Sequence, residues 1–309
     1  MLRYSLNRLF WAIITIWAVI TITFIVMHSI PGNPFAREGA MPKAVYDNLQ
    51  AYYNLDKPKV VQYFLYLKGL LHFDFGPSLK SQSITVNDYI RTGFPISLHL
   101  GLQAMAIAIP FGLIFGVVAS LFKNRWPDYV SMILAIIGIS VPSFILATVL
   151  INYFAVEWKL FPVATWKSWA HTVLPSISLA LSPMAFIARL MRSSMLEVMG
   201  QDYILTAKAK GLGKSMVIIK HAIRNAILPV VTVLGILIAN VVTGSFIVES
   251  IFGIPGMGEM FVKGIFNRDY PVILGSTVFY SVILILLIFI VDIAYTWIDP
   301  RIKVSGESK

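Results

Sequence analysis

Long, nearly uninterrupted apolar runs constrain this chain more than any other feature. A bilayer crossing takes about 20 mostly apolar residues, because the hydrocarbon core is about 30 Å thick and a helix rises about 1.5 Å per residue. Runs of that order extend from Leu9 to Ile30, Leu98 to Phe122, Val130 to Phe154, Thr172 to Ala188, Ile227 to Val248 and Val272 to Ile298. Composition agrees, with 57% hydrophobic and 13% charged residues, where soluble domains hold about 45–50% and about 25%. The expected fold class is an all-α membrane protein, a polytopic bundle of about six transmembrane helices. The first run is too long for a secretory signal and ends at Pro31-Gly32-Asn33-Pro34 without a small-residue cleavage pattern, so it is kept as a helix of the mature protein.

A formal net charge of +10 is compatible with nucleic-acid binding, but the Lys and Arg residues sit between apolar runs rather than on a soluble face. The charge reads instead as topology, since Lys and Arg near span ends are retained in the cytoplasm. Arg3 and Arg8 precede the first run, Lys123 and Arg125 separate the second and third, and Arg301 and Lys303 follow the last. The richest segment, between the fourth and fifth runs, holds Arg189, Arg192, Lys208, Lys210, Lys214, Lys220 and Arg224. An even number of crossings puts all of these on one side. The expected organisation is a cytoplasmic N-terminus over 1–8, a first transmembrane helix over 9–30, an extracellular loop over 31–95, a membrane domain over 96–299 and a cytoplasmic C-terminus over 300–309. With no cysteine in the chain, disulfides and cysteine-based metal or nucleophile sites are excluded.

The external stretch carries helix signals at Val45 to Tyr53 and Val60 to Leu71, and is expected to cap the outer mouth. Inside, Asp202 is placed to cap a short helix over Tyr203 to Lys210, which Gly211 and Gly213 stop. A second helix is expected from about Lys214 until Pro229 interrupts it. Such a helical hairpin projecting from a membrane domain suits docking to a partner. A solvated amphipathic loop on anionic lipid, favoured by Lys208 and Lys210, is the alternative.

The run Gly200-Gln201-Asp202-Tyr203-Ile204-Leu205-Thr206-Ala207-Lys208-Ala209-Lys210-Gly211-Leu212 resembles the cytoplasmic loop of permeases in binding-protein-dependent ABC importers. The general pattern of that family has Glu-Ala-Ala six residues before the glycine, where this chain holds Leu205, Thr206 and Ala207. Its downstream Leu-Pro is replaced near Ile223-Arg224, with proline only at Pro229. Both departures are similar to the oligopeptide and dipeptide branch. Further likeness to that branch comes at Pro31-Gly32-Asn33-Pro34, Asn54-Leu55-Asp56-Lys57-Pro58, Gln62-Tyr63 and Asp74-Phe75-Gly76-Pro77-Ser78. It continues at Ser140-Val141-Pro142-Ser143-Phe144, at Ala188 to Glu197, at Arg268-Asp269-Tyr270-Pro271-Val272 and at Asp299-Pro300-Arg301.

The resemblance implies a permease that imports oligopeptides across the bacterial cytoplasmic membrane, with dipeptides, nickel chelates or another small solute as alternative cargo. The implied partners are a second homologous permease, two ATP-binding subunits, an extracellular substrate-binding protein, the peptide substrate and the lipid bilayer, with no nucleic acid. The large first external loop resembles the first permease of the pair. The coupling loop would span about 189–226, and its docking segment would comprise Gln201, Asp202, Tyr203, Thr206, Ala207, Lys208, Ala209, Lys210, Gly211, Leu212 and Gly213. No Gly-x-x-x-x-Gly-Lys-Ser/Thr phosphate loop occurs in the chain, so ATP and Mg are expected on the partner subunits and no cofactor on this one.

Candidate pore or gate residues are Ser140, Pro142, Ser143, Asn152, Ser182 and Asn240, polar groups or helix breakers within the runs. Interhelical hydrogen bonding explains the polar ones equally well, and Pro175 and Pro183 are further possible breaks. Asp292 lies in the last run, near its end, where it can pair with a basic residue or reach water. His28, His72, His99, His171 and His221 are scattered without metal-ligand spacing. An ion-coupled carrier should carry charges deep in several spans, and an intramembrane enzyme a paired set of reactive groups; the runs hold neither.

Overall fold

The computed structural model describes residues 2–29, 43–81, 84–243 and 246–298. In chain order the helices are α1 (Leu2–Ser29), α2 (Lys43–Tyr52), α3 (Lys59–Leu71), α4 (Val86–Leu121), α5 (Trp126–Ser140) and α6 (Ser143–Leu150), the last continued by a π-helical segment at Ile151–Glu157. After α7 (Ala170–Met199) and α8 (Asp202–Ala209) come α9 (Lys214–Met216), a second π-helical segment at Val217–Ile223 and α10 (Arg224–Ala226). Then follow α11 (Leu228–Thr243), α12 (Phe246–Ile251), α13 (Met257–Asn267) and α14 (Tyr270–Ile298). Among the described residues the sole β feature is an isolated bridge between Pro77 and Thr85. Five helices are long and apolar enough to cross a membrane, or up to six if one bent pair counts as a span.

That bent pair corrects the expectation of one continuous crossing from Val130 to Phe154. α5 and α6 meet at 106°. Pro142 has no N–H to continue the helix, and it forces its predecessor out of the helical region, so Val141 sits extended at φ −87°, ψ 119°. Pro175 and Pro183 behave differently: both are buried inside α7, which runs through them unbroken. The helix expected from Lys214 to Pro229 instead breaks at Ile227. Pro229 falls in the first turn of α11, where a missing N–H costs nothing. The Pro31–Pro34 motif, the Asp299–Arg301 motif and the Asp292 side chain lie outside the described residues.

The chain divides into two compact units, one of residues 98–254 and the other of residues 1–97 with 255–309. Within 98–254, α7 is the central helix. A Cβ on Gly116 of α4 would lie 2.6 Å from both the Ala188 carbonyl oxygen and the Met191 Cβ, so the two backbones approach as closely as glycine permits. Below that contact a core of Ile187, Met191, Met195, Ile204, Ala207, Val217, Ala222, Ala226 and Val230 gathers α7, α8, the second π segment, α10 and α11.

In the other unit α1 packs on α14 through Phe24, Met27, Tyr270, Ile273 and Leu274, and Tyr46 and Leu49 of α2, Tyr53 just past its end, and Tyr63 and Tyr66 of α3 pack against them. Polar ties hold the layers: the Thr21 and Tyr63 hydroxyls are 2.7 Å apart, and Lys59 Nζ donates to the His28 carbonyl at 2.9 Å. The Gln62 amide donates to the carbonyls of Leu55 and Lys57, closing the turn into α3.

Candidate functional site

α8 is a two-turn helix whose ends are set by backbone geometry. Its N-cap is Gln201, extended at φ −82°, ψ 149° and making no side-chain cap bond. Asp202, expected as the cap, is instead the first helical residue, where its charge still favours the positive end of the helix dipole. At the other end Gly211 takes φ +78°. The Leu212 N–H then reaches the Ala207 carbonyl and the Gly211 N–H the Lys208 carbonyl, the paired bonds of a Schellman stop. Glycine is favoured there because a Cβ is disfavoured at positive φ.

One face of α8 is anchored and the other is open. Ile204 is fully buried and Ala207 nearly so, packed with Met191 and Met195 of α7 and with Val217 and Ala222 of the second π segment. Gln201, Asp202, Tyr203, Thr206, Lys208, Ala209, Lys210, Gly211, Leu212 and Gly213 are all exposed. That open face carries an apolar residue, Leu205, 57% exposed, and the segments that follow expose two more, Met216 at 51% and Ile219 at 66%. Sequence reasoning missed Ile204 as the anchor; its spacing of three from Ala207 is the signal that marks them as one helix face.

The pore candidates separate into groups. Ser140, Pro142 and Ser143 come together at the corner between α5 and α6, with Ser140 and Pro142 exposed and Ser143 half-buried. Asn152 donates to Glu157 at 3.3 Å within the first π segment. Ser182 and Asn240 are exposed on α7 and α11. Among the described residues no group of three or more His, Cys, Asp or Glu side chains could hold a metal ion.

Comparison with known proteins places this geometry. The family model of the binding-protein-dependent transport system inner membrane component matches residues 108–304. The chain belongs to that family. It is thus a multi-pass membrane permease component of a binding-protein-dependent transport system. It is 57% identical over 304 residues to the dipeptide transport system permease protein DppB of Bacillus subtilis, covering 98% of each chain. It is 44% identical to the oligopeptide transport system permease protein OppB of Haemophilus influenzae, over 98% of this chain and 100% of that one. Among solved structures, the inward-facing MetNI methionine ABC transporter aligns with a TM-score of 0.55 at 19% identity, over 68% of this chain and 94% of that chain. An amino acid ABC transporter crystallised with histidines aligns at 0.52, with 15% identity over 70% of this chain and 95% of that one. At such identities the likeness speaks for the fold of the permease family.

Proposed function

We propose that this permease carries di- and oligopeptides inward across the bacterial cytoplasmic membrane, driven by ATP hydrolysed on other subunits. The observation that carries the cargo is the 57% identity, over 98% of both chains, to a dipeptide permease, joined by 44% identity to an oligopeptide permease. In this reading α8 is the docking segment for an ATP-binding subunit. Its exposed Tyr203, Leu205, Lys208 and Leu212 meet a cleft in that subunit, while Ile204 and Ala207 hold it to α7. Two ATP-binding subunits bind ATP and Mg, a second homologous permease completes the path, and an extracellular binding protein delivers peptide. Both termini are cytoplasmic, as the distribution of Lys and Arg favours.

Uptake of a labelled dipeptide and a labelled pentapeptide, compared in cells with and without the gene, tests the proposal. Loss of peptide uptake on deletion, restored by the plasmid-borne gene, is the expected result. Unchanged uptake of both peptides in a strain without other peptide importers refutes the cargo.

A further inference from the structure

Arg192 on α7 grips Asp128 in the first turn of α5 through two parallel bonds, Nε to Oδ1 at 2.6 Å and Nη2 to Oδ2 at 2.7 Å. Asp128 is 2% exposed, and its carboxylate also accepts the Asn124 N–H at 3.0 Å. Asn124 has φ +60°, so the short connection between α4 and α5 is turned back onto the same carboxylate. A single ion pair therefore fastens α7 to the start of α5 and to the end of α4.

Its position along α7 gives it a role beyond stability. Met191 precedes Arg192, Met195 lies one turn on, and both are fully buried against Ile204 and Ala207 of α8. From Asp128, α5 runs without a break to Ser140 and the 106° corner. Apolar contacts between helices are non-directional and permit sliding, whereas a bidentate guanidinium–carboxylate pair fixes separation and rotation together. We propose that Arg192 and Asp128 are positioning residues that convert displacement of α8 into movement of α5, and so of the Ser140–Pro142–Ser143 corner. This rests on α8 being the docking segment.

The test uses the complete transporter, with its second permease, ATP-binding subunits and binding protein, in proteoliposomes, and reads peptide uptake per ATP hydrolysed. Since the chain has no cysteine of its own, Asp128→Cys with Arg192→Cys introduces one pair of thiols into this subunit. A cleavable bifunctional thiosulfonate of ion-pair length can bridge them. Asp128→Asn and the unbridged double variant are expected to hydrolyse ATP while uptake per ATP falls about tenfold, the size of an ordinary coupling energy. Bridging restores the ratio and cleaving the bridge in the assembled complex lowers it again. Single-cysteine variants treated alike should not respond.

If Asp128→Asn fails to assemble, the double variant is bridged before purification and cleaved afterwards. Cleavage that leaves uptake per ATP unchanged, or an assembled Asp128→Asn transporter with the wild-type ratio, overturns the proposal. Failure of the docking role of α8 would appear separately, as normal binding of the ATP-binding subunits and normal uptake in Gly211→Val.

Discussion

The Ser78 hydroxyl donates a hydrogen bond to Asp269 Oδ2 across 191 positions of sequence. The other carboxylate oxygen takes the Leu79 N–H at 3.1 Å and the Val272 N–H at 3.4 Å, so one buried side chain both starts α14 and pins the segment ahead of α4. The Ser78 carbonyl in turn accepts the Tyr53 hydroxyl at 2.9 Å, which extends the tie to the end of α2.

Asp269→Ala should therefore destabilise the unit of residues 1–97 and 255–309 by about 3 kcal/mol, because several buried donors lose their acceptor at once. Limited proteolysis between α3 and α4 in detergent should quicken, while Ser78→Ala, which removes one donor, has a smaller effect. Equal proteolysis rates for wild type and Asp269→Ala would show that the carboxylate is not what holds this segment.

Gly116→Ala should lower thermal stability by about 1–3 kcal/mol, since the new methyl must displace the backbone of α7 rather than a flexible chain end. Gly213 has nothing within 4 Å of an added Cβ and an ordinary φ of −60°, so Gly213→Ala serves as the silent control. Melting of the purified protein, followed by loss of the monodisperse fraction, distinguishes the two.

Gly211→Val costs about 1 kcal/mol or more through backbone conformation alone, as there is open space around the position. Membrane insertion should stay near normal while association with the ATP-binding subunits and peptide uptake fall together. Gly211→Asn, which tolerates positive φ, should retain most of both.

Tyr66→Phe should be neutral or slightly stabilising near neutral pH, because the Tyr66 hydroxyl is buried without a hydrogen-bond partner among the described residues. Tyr63→Phe, which breaks the 2.7 Å contact with Thr21, should cost about 1 kcal/mol. Burial also pushes the Tyr66 hydroxyl above its ordinary value. The folded state thus keeps its proton where the unfolded state loses one, and stability should fall as pH rises past about 10. Chemical denaturation of wild type and Tyr66→Phe across that range should show the slope shrinking in the variant.

Five of the long apolar helices and the two helices between α1 and α4 could be read from the sequence because their signals are local: apolar length for the former, helical spacing for the latter. The glycine stop at Gly211 was equally legible, since its cause is the residue itself. Prolines were not. Pro142 breaks a helix and Pro183 does not, though both interrupt apolar runs, and the difference lies in tertiary surroundings: α7 is enclosed by its neighbours, while the corner at Pro142 is exposed. Asp74–Ser78 and Arg268–Val272 were visible only as an ordered series of resemblances. That they meet through Ser78 and Asp269 depends on a pairing between distant segments, which no local pattern encodes. Likewise the Arg192–Asp128 pair joins a residue that the sequence offers only as a topology signal to one that no local pattern singles out.

The corner between α5 and α6 also bears on parity, because a bent pair can either traverse the bilayer or re-enter on the side it came from. If that pair did not traverse the bilayer, the count of crossings up to α8 would be odd. Lys208, Lys210, Lys214, Lys220 and Arg224 would then face away from Arg8, Lys123 and Arg125, dividing the positive charge between the two sides against the usual bias. Keeping the charge together requires the bent pair to traverse, and α5 alone, with 15 residues, spans only about 22 Å. On that topology the interrupted backbone at Val141 and Pro142 would lie at membrane depth. Lipid-facing backbone in hydrocarbon tolerates no such interruption, so a traversing corner would turn away from lipid, towards protein or an aqueous path.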